Sequence, residues 1–370
     1  MHIMMVANDT TFIYNLRKEI LERFVQEGYS VTVVCEVLSF REELEALGCR
    51  LIDVKNHRRG TNPLSDLKLA YTYFNILKKE RPDVVLTNNI KPNIYAGMAC
   101  QILGIKRICN ITGLGTAVES AGILQKLTVF LYRIGVRNAE CILFQNAENE
   151  AFFKRHNLIS PKSNVVRLAG SGVNLKTHEL QPYPEGECVH FLFAARIMKE
   201  KGIDLFLAAA QKYHSKNVVF DICGACDDEK YKEILRQAHE KGVVHYHGQQ
   251  KFMQPFYAKC SCFLFPSYYP EGMSNVLLEA AACGRPAIAA DRSGCRETVT
   301  DGVTGFIVPV NDEAAVLDAV GRFLSLTWEQ RRDMGLAARA KIEKEFDRQI
   351  VVGKYIEQVN LLLDMVRICN

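Results

Sequence analysis

Short apolar runs alternate with longer amphipathic stretches along the chain. Runs at residues 3–7, 30–35, 50–54, 83–87, 107–111, 141–144 and 164–168 read as strands. Helical spacing of apolar positions appears at 11–28, 41–47 and 64–80, with further helices between the later strands. Alternating β and α at this spacing predicts a parallel sheet with crossover helices. The rhythm restarts after the Gly-rich 168–174 and the Pro- and Gly-rich 181–186. Strands then fall at 189–194, 218–223, 243–247, 262–265, 286–290 and 305–308. Helices fall at 202–213, 228–241, 274–283 and 312–326, and two long helical stretches, 328–346 and 348–366, follow. The pattern is α/β: two Rossmann-like domains facing a cleft, with ligands at the carboxyl ends of the strands.

Composition narrows the class. A chain of 370 residues holds about two domains. With 48% apolar and 24% charged residues, it is neither disordered, collagenous nor a disulfide miniprotein. The 13 cysteines are odd in number and irregularly spaced. Met1–Val6 runs straight into polar residues with no cationic n-region or apolar h-region, so the expectation is a cytosolic protein with reduced thiols. No apolar run reaches the ~18 residues of a spanning helix. Residues 1–170 carry 22 Lys and Arg against 16 Asp and Glu, and the remainder 24 against 26. That excess is too small for nucleic acid, and no nucleic-acid-binding motif accompanies it.

The first strand leads into Asn8-Asp9-Thr10-Thr11 rather than G-x-G-x-x-G, and no P-loop is present. Thr10 and Thr11 are expected to cap the first helix and to offer hydroxyls. The informative segment is Pro266-Ser-Tyr-Tyr-Pro-Glu271-Gly272-Met273-Ser274-Asn275-Val276. A strand ends at Phe265, Ser274 caps the following helix, and Gly284 stops it. The amides of Gly272, Met273, Ser274, Asn275 and Val276 should form an anion site at that helix N-terminus.

Glu279 is the only charge in the apolar stretch 276–283, and Glu271 precedes it in the loop. An unpaired buried charge is costly, so Glu279 must reach a polar ligand or the surface. Two carboxylates beside an anion site suit a ligand with hydroxyls and phosphates, such as a nucleotide sugar. Alone, E-x7-E is usually a turn Glu and a solvent-facing helix Glu. Arg196 and Lys201 follow the first strand of the second domain, where they can neutralise a diphosphate.

These motifs, with Gly294-Cys-Arg-Glu297 and Asp301-Gly-Val-Thr-Gly-Phe306, resemble the donor-binding half of the retaining GT-B glycosyltransferases of family four. The resemblance implies GT-B architecture, with C-terminal helices crossing back. Its domains are 1–172 plus a C-terminal helix at about 348–370, and 173–347. It assigns Arg196 and Lys201 to the donor diphosphate, Glu279 to ribose hydroxyls and Glu271 to the sugar. Glu271, Arg196 and Lys201 are the implied catalytic residues. The reaction implied is transfer of a hexose or N-acetylhexosamine from a UDP-sugar with retention. Front-face attack then gives the acceptor proton to the leaving phosphate, with no cofactor and no protein-bound metal.

The first half, through Asn110-Ile-Thr112-Gly113-Leu-Gly115-Thr116, Phe144-Gln-Asn146 and 170–174, resembles bacterial transferases of capsule, O-antigen and lipid-linked glycan assembly. The implied acceptor is a saccharide on undecaprenyl diphosphate, at the inner face of the cell membrane, bound peripherally. Thr10, Thr11, Lys91, Thr112, Gly113 and Gly115 are the acceptor-side candidates. His57-Arg58-Arg59 is a further basic candidate. Residues 122–137 mix apolar positions with Lys126, Arg133 and Arg137. This fits either an interfacial amphipathic helix or a core helix with a basic solvent face.

Cys223-x2-Cys226 with His245 and His247 could on paper be a zinc set, but the His spacing is wrong. Gly224 and His247 are placed at the nucleotide pocket instead. Two rivals remain. A sugar-nucleotide epimerase or hydrolase would turn over without an acceptor. A non-catalytic scaffold of a glycan-assembly complex would fold without binding nucleotide sugar.

Overall fold

The computed structural model describes residues 1–55, 62–115 and 122–369. The chain divides into two compact units, Met1–Gly172 with Arg348–Asn370, and Val173–Asp347.

The first unit is a seven-stranded parallel sheet among the described residues. Its strands are β1 (His2–Asp9), β2 (Ser30–Glu36), β3 (Cys49–Asp53), β4 (Val84–Asn88), β5 (Lys106–Ile111), β6 (Cys141–Phe144) and β7 (Asn164–Arg167). The order is β3-β2-β1-β4-β5-β6-β7, with Met4 opposite Thr32 on one side and Val85 on the other. Alternation along each strand sorts the core. Ile3, Met5, Val84 and Leu86 pack under α1 (Thr10–Gln26) and α13 (Arg348–Cys369). On the other face Met4, Val6 and Val85 pack under α3 (Pro63–Glu80) and α4 (Ile90–Leu103). Cys109, Ile111, Ile142 and Phe144 meet α5 (Ile123–Gly135) and α6 (Ala147–Arg155) on that same face. The short α2 (Arg41–Ala46) adds Leu44 to the first face.

β1 runs two residues past its apolar stretch, with a register irregularity between Val6 and Asp9. The cap of α1 is therefore Asp9, whose carboxylate accepts from the Phe12 amide at 2.8 Å. This corrects the expectation that Thr10 or Thr11 caps the helix.

The second unit has six parallel strands in the order β10-β9-β8-β11-β12-β13. They are β8 (Val189–Ala194), β9 (Val218–Cys223), β10 (His245–Tyr246), β11 (Cys262–Phe265), β12 (Ala287–Ala290) and β13 (Gly305–Val308). The helices are α7 (Ile203–Tyr213), α8 (Glu229–Glu240), α9 (Gln254–Lys259), α10 (Asn275–Ala282), α11 (Glu313–Ser325) and α12 (Trp328–Glu345). The strand order reverses between β8 and β11. In such sheets the ligand crevice lies outside the carboxyl ends of these two strands.

Candidate active site

A pocket of about 200 Å³ opens at that switch point. Ala194, Ala195 and Arg196 line it from the end of β8, and Phe265 from the end of β11. Lys201, Glu271, Met273, Ser274, Asn275 and Val276 complete the wall. Arg196 is exposed, and no ion pair or hydrogen bond holds it among the described residues. Lys201 pairs with Glu271, and its ammonium lies 4.7 Å from the centre of the Tyr269 ring.

The two motif loops are built against each other. The Tyr268 amide donates to the Glu200 carbonyl at 2.9 Å. Gly202 has φ 81°, and a Cβ there would stand 2.4 Å from the Pro266 carbonyl oxygen. Only glycine tolerates both conditions, so Lys201 is delivered by a close backbone crossing.

α10 begins at the pocket. Ser274 is its N-cap by backbone conformation, but its hydroxyl makes no capping bond. Ser274 Oγ and Asn275 Oδ1 are instead buried without partners. The amide of Ser274 donates to the Gly294 carbonyl at 2.8 Å, so it is not one of the amides open to an anion. This narrows the expected Gly272–Val276 cradle. Gly284, at φ 78°, follows the helix end.

The Gly294–Glu297 motif, to which the sequence alone assigns no role, packs against the Glu271 loop. Gly294 has φ 90°, and a Cβ there would lie 2.8 Å from that of Glu271. Glu297 accepts from the Gly294 amide at 2.7 Å and from Ser293 Oγ at 3.1 Å. Glu297 thereby sets the backbone against which the Glu271 loop and Ser274 rest.

Glu279 lies on α10 outside the pocket wall described above. Its Oε2 accepts from the buried Tyr257 hydroxyl at 2.8 Å, and His178 Nε2 is 3.9 Å away. Burial, then the adjoining carboxylate, push the Tyr257 phenol well above its ordinary range, so it stays a hydrogen-bond donor. Gly224, at φ 155°, presses on Ala195: a Cβ would meet that carbonyl oxygen at 1.7 Å. His247 bonds Asp221 at 2.7 Å through Nε2, and His190 bonds the other carboxylate oxygen at 3.0 Å. Burial opposes ionisation of Asp221, but these two bonds outweigh it and its pKa falls. Burial and Asp221 push the Cys223 thiol up to about 12. Among the described residues no three His, Cys, Asp or Glu side chains gather as a metal set.

In the first unit the acceptor-side candidates separate. Thr10 is fully buried, and its hydroxyl accepts from the Leu38 and Ser39 amides, both at 3.1 Å. It is a structural residue, which corrects its assignment to the acceptor. Thr11 Oγ1 shares a 2.9 Å hydrogen bond with Ser39 Oγ. Lys91 is paired with Asp66 of α3 at 2.8 Å. Thr112 accepts from Asn89 Nδ2 at 3.4 Å, while Asn89 Oδ1 accepts from the Asn8 amide at 3.2 Å. Asn89 thus ties the ends of β1, β4 and β5 together, at φ 71°. Gly113 and Gly115 follow β5 with φ of 136° and 68°. His57, Arg58, Arg59 and Thr116 lie outside the described residues.

Two family models match the chain. Glycosyl transferase 4-like covers residues 2–146, and Glycosyl transferases group 1 covers 188–325. The chain is a GT-B glycosyltransferase. The transferase is 24% identical to the N,N'-diacetylbacillosaminyl-diphospho-undecaprenol α-1,3-N-acetylgalactosaminyltransferase of Campylobacter jejuni, over 96% of this chain and 98% of that protein. It is also 24% identical to the capsular polysaccharide glycosyltransferase CapM of Staphylococcus aureus, over 88% and 89% of the two chains. Among solved structures, the Anabaena protein HepE in complex with UDP and glucose superposes with a TM-score of 0.79. That match is 16% identical and covers 97% of this chain and 99% of the other, so it speaks to fold.

Proposed function

We propose that this glycosyltransferase moves a hexose or N-acetylhexosamine from a UDP-sugar, with retention, to an undecaprenyl-diphosphate-linked saccharide. The setting is bacterial surface-glycan assembly, on the cytoplasmic face of the membrane. The observation that carries the reading is the pocket. It joins a guanidinium that has no partner among the described residues, a lysine ammonium, a helix N-terminus and a carboxylate at the switch point of one sheet. The acceptor class is supported by the named activity of the Campylobacter relative.

Arg196 and Lys201 would take the diphosphate and offset the charge that builds on the leaving UDP. No resident metal is needed in this scheme. The open amides of α10 add to that field. Glu271 would hold the transferred sugar. Glu279, oriented by Tyr257, would take the ribose hydroxyls. The acceptor hydroxyl attacks on the face that UDP leaves, and its proton passes to the departing phosphate.

The test is a panel of UDP-sugars against short undecaprenyl-diphosphate-linked saccharides, read by mass spectrometry and run with and without a chelator. Arg196→Ala, Lys201→Ala and Glu271→Ala should each cut turnover severely. Wild-type rates in all three would end the assignment. Turnover without acceptor would favour the epimerase or hydrolase reading.

A further inference from the structure

The seven-stranded sheet has a switch point of its own. Its strand order reverses between β1 and β4, so the crevice of the first unit lies outside the carboxyl ends of those two strands. Asn89 is the single residue between β4 and α4. Its backbone sits at φ 71° and ψ 167°, a region that glycine enters freely and a residue with a Cβ enters only under strain. Such strain persists where the surroundings over-determine it, and it concentrates at ligand sites.

Here the surroundings act through both ends of the side chain. Backbone pairing of β1 with β4 ends at Val6 and Thr87, and that of β4 with β5 ends at Asn88 and Asn110. Past those rungs Asn89 takes over. Its Oδ1 accepts from the Asn8 amide at 3.2 Å, and its Nδ2 donates to Thr112 Oγ1 at 3.4 Å. One side-chain amide thus adds a rung on each side of β4, beyond the end of the ladder. The diversion also leaves Asn89 without a side-chain bond as the N-cap of α4, the use an asparagine ordinarily has there. A glycine would fit this backbone without strain but would leave both rungs unmade.

The loop after β5 closes on the same point. Gly115 has φ 68°, and a Cβ on it would stand 3.3 Å from Ile90 Cδ1. Asn8, Asn89, Ile90, Thr112, Gly113 and Gly115 are all half-buried, so solvent reaches this rim.

We propose that Asn89 is a positioning residue for the acceptor. It fixes the loops after β1 and β5 against the start of α4, and through them Thr112, Gly113 and Gly115 at the crevice of the first unit. This rests on the transferase reading above and on its acceptor-side residues. The strained asparagine is kept because glycine, which the backbone favours, would release those loops.

The experiment compares Asn89→Gly, Asn89→Asp and Thr112→Val with wild type. It measures kcat, donor KM and acceptor KM on the undecaprenyl-diphosphate-linked saccharides. UDP affinity by calorimetry, melting temperature and hydrogen exchange at the Asn8 amide accompany the kinetics. In Asn89→Gly the Asn8 amide should exchange about tenfold faster. Acceptor KM should rise about tenfold, as expected for the loss of one to two hydrogen bonds. Donor KM, kcat and UDP affinity should stay within about twofold, and the melting temperature within about 3 °C, because strain relief offsets the lost bonds. Asn89→Asp still accepts from Asn8, shares asparagine's tolerance of positive φ and can accept from the Thr112 hydroxyl. It should bring acceptor KM to within about threefold of wild type. Thr112→Val removes one rung and should raise acceptor KM about threefold. Combined with Asn89→Gly it should add nothing further.

A wild-type acceptor KM in Asn89→Gly would overturn the proposal and leave the transferase reading intact. So would an Asn89→Gly variant in which acceptor KM, donor KM and melting temperature worsen together, which is the behaviour of a merely structural residue. If the wild type binds UDP but transfers to none of the saccharides, the acceptor reading itself fails, and the positioning role fails with it.

Discussion

Lys201 and Glu271, 70 residues apart, are ion-paired within one pocket, so the residue offered to a phosphate is already engaged by a carboxylate. A nucleoside diphosphate must compete with Glu271 for the ammonium, and its own charge faces that carboxylate. Glu271→Gln should therefore bind UDP several-fold more tightly while losing about 100-fold or more in turnover. Calorimetry and initial rates on one preparation check both. Weaker UDP binding together with lost turnover would mean that the carboxylate organises the site rather than opposing the phosphates.

Tyr257 and Glu279 form a second pair, at 2.8 Å. Tyr257→Phe removes the hydrogen bond without changing the buried ring. The stability cost should be about 1 kcal/mol. The kinetic effect should fall on KM for the donor, by about fivefold, with kcat within twofold. An unchanged KM would detach Glu279 from donor binding.

Gly294 occupies a left-handed conformation against Glu271. Gly294→Ala places a methyl group at the Cβ of Glu271 and strains the backbone, at a cost of about 1–3 kcal/mol. Turnover should drop more than tenfold. Glu297→Gln, which can still accept hydrogen bonds, should retain more activity than Glu297→Ala. Equal rates for the two would remove the positioning role of Glu297.

Asp221 links stability to pH. Its carboxyl pKa is lowered in the fold, with the His190 and His247 hydrogen bonds outweighing burial. A depressed carboxyl contributes stability above its unfolded pKa and loses it as pH falls through the folded one. Asp221→Asn should melt below wild type at neutral pH, and the gap should close in the acid range. Melting curves across pH read this directly. A gap that does not change with pH would mean that the loss is packing alone.

Alternation and motif order made both sheets legible, because near-continuous apolar strands and amphipathic helices differ in period. Short elements were less so. α9 is six residues long and opens with Gln254-Pro255, which reads as a loop. The loop cations, Glu271 and Glu279 are visible as motifs. The Tyr257 partner of Glu279 is not, because the two meet across 22 positions and two elements.

The first unit also holds a polar core whose contacts the sequence does not reveal. Fully buried Arg17 donates to Asn88 at 3.0 Å and Ser171 at 2.9 Å, while Asn110 bonds both Asn88 and Tyr355. Their contacts join positions far apart in the chain, such as Arg17 with Ser171 and Asn110 with Tyr355, and only the topology gathers them. Ser274 is the N-cap that its place in the motif suggests, but by backbone conformation alone: its hydroxyl makes no capping bond and is buried without a partner.

The return of α13 to the first unit bears on how the protein is made. Val351, Val352, Tyr355, Ile356, Val359, Leu362 and Leu363 belong to the same core as Ile3 and Met5. On the ribosome, where domains fold as they emerge, Val173–Asp347 has all its residues before the first unit does. The unit whose synthesis starts first therefore closes its core last. Until then the sheet face that α1 and α13 share is covered by α1 without α13.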